Sequence, residues 1–178
     1  MPHQAHLTPP VNEQDHTQGP AHAPVTLVLY GDYECPYTRQ SLTGVRAIQQ
    51  ELGEQLRFVF RNFPLLEIHP HALQCAEAAE AADAQGKFWE MHTYIFHHQH
   101  TLEDSDLQHF AEAVGLNMAQ FEQDMAHHRY RERIKRDVES GEESGVQGTP
   151  TFYINGVRYD ASWEQEVLRA ALEKALKA

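Results

Sequence analysis

The first clear hydrophobic signal in this chain is Val25–Tyr30 (VTLVLY), a nearly unbroken apolar run rich in β-formers. That is the pattern of a strand buried on both faces of a sheet. Gly31 and Asp32 close it. From Pro36 the period changes. Leu42, Val45, Ile48 and Leu52 recur at spacings of three and four, one apolar stripe on a helix, and Gly53 is a natural stop. Leu56–Phe63 (LRFVFRNF) alternates at first, ends at Pro64, and predicts a second strand. Strand, helix and strand within about 40 residues make a βαβ unit with parallel strands and a right-handed crossover.

Residues 65–145 read as helices alone. Ala72–Ala84 is alanine-rich, and apolar stripes follow at Phe88, Met91 and Ile95, then Leu107, Phe110, Ala111 and Val114. Met118, Phe121 and Met125 make another stripe, as do Tyr130, Ile134 and Val138. Asn117 is an N-cap candidate just after the helix stop Gly115. Strand signals return at Thr151–Ile154 and Val157–Tyr159, joined by Asn155-Gly156, a strong hairpin signal. Ser162-Trp163-Glu164-Gln165 opens a last helix with a capping-box pattern. The predicted order is βαβ, a helical block, then ββα. The chain divides into an extended, poorly packed arm (1–24), an α/β body (25–64 and 146–178) and an inserted helical domain (65–145). In the arm, Pro2, Pro9, Pro10, Pro20 and Pro24 alternate with polar residues.

Composition changes this picture little, but it excludes partners. The 178 residues are 41% apolar and carry a formal charge of −12 with histidine neutral. Nucleic acid and anionic membrane surfaces both require a basic footprint, so neither is an expected partner. Thirteen histidines would cancel much of the negative charge below about pH 6.5. No apolar run reaches the roughly 20 residues of a membrane span, and no signal-peptide pattern opens the chain, so a cytoplasmic location is expected. Two cysteines do not make a disulfide framework. No HExxH or CxxC spacing is present, so no metal site is expected. Trp89 and Asn62 read as structural.

Candidate chemistry centres on Cys35-Pro36-Tyr37-Thr38, where the first strand gives way to a helix. The unpaired N–H groups and dipole of a helix start favour an anion, and the thiolate is the nucleophilic form of cysteine. Pro36 suits the first helical position. Glu34 opposes the thiolate. Far downstream, Thr149-Pro150 precedes an apolar strand, and X-Pro is the cheap route to a cis peptide. Such a turn would offer the backbone of residue 149 as a docking edge for an extended substrate.

This order of elements, with Cys-Pro-x-x after the first strand and Gly148-Thr149-Pro150-Thr151 before the third, resembles the DsbA-like branch of the thioredoxin superfamily. Gly31-Asp32-Tyr33-Glu34-Cys35-Pro36-Tyr37 and Arg61-Asn62-Phe63-Pro64 are similar to that group. So are His69-Pro70-His71, Gly86-Lys87-Phe88-Trp89-Glu90-Met91-His92 and Gly145-Val146-Gln147. The resemblance implies a thioredoxin-like α/β fold with the helical domain inserted between the βαβ and ββα halves. It also implies a nucleophilic Cys35 facing Thr149 and Pro150, and a thiol-disulfide oxidoreductase. The departure is Thr38, which stands where oxidising members hold a second cysteine. Its hydroxyl would either donate to the Cys35 thiolate or serve as a plain helix-start residue.

Cys75 lies about 11 residues beyond Pro64, on the sheet edge from which Cys35 emerges, and is either a distant resolving thiol or a helix-core residue. His69 and His71 belong to the same edge and would line the site or merely occupy a loop. The expected reaction is disulfide reduction, isomerisation or deglutathionylation through a mixed disulfide on Cys35. Its partners are protein or low-molecular-weight thiols and disulfides. No bound cofactor is needed, and glutathione is a candidate co-substrate. The alternatives are a glutathione-dependent transferase or isomerase on the same fold and a redox-inactive peptide-binding module.

Overall fold

The computed structural model describes residues 4–178. A five-stranded sheet runs in the order β1 (His16–Gln18), β3 (Leu56–Asn62), β2 (Val25–Gly31), β4 (Thr151–Ile154), β5 (Val157–Tyr159). β2 and β3 are parallel, with Val25 opposite Leu56 and Gly31 opposite Asn62. Helix α1 (Pro36–Leu52) makes the crossover between them. β4 runs antiparallel to β2, and β5 antiparallel to β4. The connecting Asn155 and Gly156 both have positive φ, at 48° and 81°. A type I′ turn requires that geometry, which is why Asn-Gly suits it.

The apolar run of β2 serves two cores because successive side chains point to opposite faces. Leu27 and Leu29 pack into the larger cluster with Val45 and Ile48 of α1, and with Leu168 and Leu172 of α7 (Gln165–Leu176). Val28 and Tyr30 face the smaller one with Leu7, Val59, Phe63 and Tyr153.

Between β3 and β4 come α2 (Ala72–Asp83), α3 (Phe88–His97), α4 (Asp104–Ala113), α5 (Met118–Ala126) and α6 (Arg131–Glu143). The alanines of α2 follow from its position. Ala72, Ala76, Ala78, Ala79, Ala81 and Ala82 are all buried, so small side chains let neighbours approach on every side. Asn117 caps α5 through the Gln120 N–H. α7 starts differently from the sequence expectation. Glu164 is its N-cap, and the Ser162 hydroxyl accepts from the Glu164 N–H rather than closing a capping box with Gln165.

Two expectations about organisation need correction. The N-terminal segment is not a loose arm, although residues 1–3, Pro2 among them, lie outside the described residues. β1 adds an antiparallel edge to β3, Leu7 is buried, and Asp15 and His16 reach buried partners. Those partners, Arg61 and Glu80, are distant in sequence. Helix α6 is also more than part of a separate helical block. Ser140 bonds the Tyr30 hydroxyl at 2.8 Å, and Val138 packs against the smaller core, so α6 covers that face of the sheet.

Candidate functional site

The site forms where β2 ends. Gly31 permits the exit, since a Cβ there would lie 2.6 Å from the Phe60 ring and 2.8 Å from the Thr38 methyl. The Asp32–Glu34 turn then places Cys35 as the extended N-cap of α1, with Pro36 in the first turn. Cys35 makes no side-chain cap bond, so its sulfur stands at the positive end of a 17-residue helix with the first-turn N–H groups unclaimed by its side chain.

The sulfur is buried, and its partner is the Thr149 carbonyl, which accepts from Sγ at 3.6 Å. The Thr149–Pro150 peptide is cis. Cys35 and the Thr149-Pro150 turn, 114 residues apart in sequence, therefore stand in direct contact. Pro36 and Tyr37 face solvent. Thr38 is not placed as a donor to the thiol. It is fully buried, and its hydroxyl accepts from the Asp32 N–H at 3.4 Å.

Acidic residues flank the thiol and are held by the loop after β3. Asp32 is buried and accepts from the Glu34 N–H (2.7 Å) and the Leu65 N–H (2.8 Å), and pairs with His69 Nδ1 at 2.8 Å. Glu34 takes the backbone N–H of His71 at 2.7 Å and His71 Nδ1 at 3.0 Å. The Glu34 carboxylate raises the His71 pKa above its ordinary value. Thus His69 and His71 orient the two acids beside Cys35.

Two supports were not among the site residues expected from the sequence, although Tyr33 and His92 stand within motifs that carry the family resemblance. Gln99, between α3 and α4, donates through Nε2 to the carbonyls of Tyr33 (2.9 Å) and Cys35 (2.8 Å), tying the helical insertion to the thiol loop. The Tyr33 hydroxyl bonds His92 Nδ1 at 3.0 Å. Burial pushes the His92 pKa down to about 3, so this imidazole is neutral.

Cys75 is fully buried in α2 within the larger core, and no disulfide joins it to Cys35. Burial pushes its thiol well above the ordinary range, with Glu34 and Asp32 adding to the effect. Nothing in that setting activates a thiolate.

Behind the site lies a buried ionic network. Arg61 forks onto Asp15 at 2.8 and 2.9 Å and donates to the Tyr30 hydroxyl. Glu80 receives His16, Asn62 and Arg133. His16, Glu80 and Asp83 bring possible metal-ligand atoms within 4.8 Å of one another. The Arg133 guanidinium stands 3.0 Å from His16 Nε2 and 2.7 Å from Glu80, so two of these three groups already have a fixed cation beside them.

The sequence profile of the family described as Thioredoxin matches residues 11–174. Among curated proteins, the chain is 43% identical over 169 residues to the Na(+)/H(+) antiporter NhaA 1 of Salinispora arenicola, covering 95% of this chain and 26% of that protein. The chain thus spans about a quarter of the length of the curated relatives it matches. Among solved structures, oxidised BdbD from Bacillus subtilis superposes with a TM-score of 0.86 at 21% identity, covering 99% of this chain and 100% of BdbD. A thioredoxin-like oxidoreductase from Silicibacter pomeroyi DSS-3 gives 0.79 at 25% identity, covering 94% of this chain and 95% of that one. No helix among the described residues is long and apolar enough to cross a membrane. With the family match spanning most of the chain, the chain belongs to the thioredoxin family, and its sheet order and helical insertion give it the fold of BdbD.

Proposed function

We propose that this protein is a thiol-disulfide oxidoreductase that works through Cys35 alone. The observation that carries this reading is the placement of one sulfur. Cys35 sits at the positive end of α1 against the Thr149 carbonyl, while Thr38 holds the position of a near resolving thiol and Cys75 is sealed in the core.

The steps follow from one nucleophile. The Cys35 thiolate attacks a disulfide R–S–S–R′, forms Cys35–S–S–R and releases R′S⁻, which takes up a proton. An external thiolate such as that of glutathione attacks the mixed disulfide. This regenerates the Cys35 thiolate and leaves glutathione–S–S–R. A second glutathione completes reduction to RSH and glutathione disulfide. The net electron pair comes from the external thiol, so reduction, isomerisation and deglutathionylation are favoured over net oxidation. Such chemistry suits a reducing compartment such as the cytoplasm. The Thr149-Pro150 edge would receive the substrate chain.

The antiporter activity named for the curated relatives is not carried over. The chain matches only 26% of the Salinispora arenicola protein, and the family model on this chain is that of Thioredoxin. The test is insulin-disulfide reduction with glutathione, together with mass spectrometry after treatment with oxidised glutathione. Cys35→Ser should abolish turnover and the glutathione adduct, and Cys75→Ser should keep both. Loss of turnover in both variants would replace this mechanism with a Cys35–Cys75 pair. No turnover in the native protein would favour a peptide-binding module.

A further inference from the structure

We propose that the groove between α1 and α3 docks an acidic peptide segment of a partner protein with an apolar centre. This site is separate from the thiol and does not require its chemistry.

The groove encloses about 480 Å³, within the range of small-ligand and peptide sites. Its axis is set by contacts at both ends. Gln99, two residues beyond α3, holds the Cys35 carbonyl, so the C-terminal end of α3 lies beside the start of α1. At the other end Gln49 of α1 bonds Gln18, whose neighbour in register, Phe58, meets the Trp89 ring at 6.0 Å. The two helices are thus antiparallel walls, and the groove leads away from Cys35.

Its chemistry is two-sided. Arg39 and Arg46 line it from α1, both are exposed, and neither guanidinium has an ion-pair or hydrogen-bond partner among the described residues. No aspartate or glutamate lines the groove, although the chain has 26 acidic residues against 14 basic ones. Leu42, Phe58, Trp89 and Phe96 supply the apolar surface. A positive rim over an aromatic floor, in a protein of net charge −12, is complementary to carboxylates flanking apolar side chains.

Spacing narrows the occupant to a peptide. Arg39 and Arg46 are seven residues apart on one helix, about 10.5 Å along its axis. Carboxylates at positions i and i+4 of an extended chain share one face about 13 Å apart, a gap that the flexible arginine side chains span. Residue i+2, on the same face between them, then meets the aromatic floor.

The experiment uses the full chain with Trp163→Phe, so that Trp89 is the only tryptophan and reports from the groove itself. The probes are blocked pentapeptides Glu-Ser-Leu-Ser-Glu and Lys-Ser-Leu-Ser-Lys. The acidic peptide should give a saturable change in Trp89 fluorescence, weakened about tenfold by Arg46→Glu and less by Arg46→Gln. Half-molar salt should weaken it too, while Cys35→Ser leaves it unchanged. Equal binding of the lysine peptide, indifference to Arg46→Glu, or glutarate binding as tightly as the peptide would overturn the assignment. So would self-association of the free protein, seen by sedimentation and abolished by Arg46→Glu.

Discussion

Asp32 is the residue on which the thiol loop depends, and Asp32→Asn tests this. Its carboxylate is buried and takes three donors: the Glu34 N–H, the Leu65 N–H and His69 Nδ1. An asparagine amide has one oxygen for those donors and presents two N–H groups of its own. At least one donor is therefore left facing another donor. A hydrogen bond to a charged group is worth about 1.5–3 kcal/mol, and a buried donor left unsatisfied costs about 1–3 kcal/mol. A loss of about 2–4 kcal/mol is expected. That corresponds to a fall in Tm of roughly 5–15 °C for a domain of this size. The assay is urea unfolding at pH 7 followed by circular dichroism, run beside native-state alkylation of Cys35. The same substitution loosens the loop that buries the sulfur, so alkylation should accelerate. A stability change within about 0.5 kcal/mol, the level of a neutral surface substitution, would refute the claim that Asp32 holds this loop.

Three further outcomes are expected. In the native protein Cys35 should alkylate faster than Cys75, with Cys75 reacting only on unfolding because its thiol is fully buried and pushed up by burial; timed alkylation read by peptide mass spectrometry checks the order. Gly31→Ala should cost about 1–3 kcal/mol by overpacking, since its Cβ would enter the Phe60 ring and the Thr38 methyl; urea midpoints measure it. For pH dependence, burial holds folded His92 neutral down to about pH 3, while an unfolded histidine takes up a proton below about 6.5. The unfolded state therefore binds more protons, and stability falls as pH drops from 6.5 toward 3. His92→Gln should show a smaller loss in urea midpoint between pH 7 and pH 4.5 than the parent protein.

Much of this protein can be read from local pattern. The unbroken run of β2, the three-and-four spacing in α1, the Asn-Gly turn and the alanine-rich α2 each state their own geometry, because strand and helix periods are short-range properties. The Cys35-Pro36 helix start is local in the same way, and Thr149-Pro150 is legible as a turn before a strand. Their meeting at 3.6 Å follows from β4 pairing with β2, a contact between segments more than 100 residues apart.

What only the tertiary structure decided is where polar side chains found partners. The N-terminal segment looks unstructured by composition, yet Asp15 and His16 are held by Arg61 and Glu80, charges that no periodicity reveals. Thr38 reads in sequence either as a donor to the thiol or as a plain helix-start residue, and the fold turns it to the Asp32 backbone, because Gly31 lets it pack inward. Gln99 carries no local signal at all and becomes a support of the Cys35 loop only when α3 folds beside α1. Backbone periodicity is written over a few residues. A buried hydrogen bond depends on which distant group is brought within about 3 Å, and that is settled by packing the whole chain.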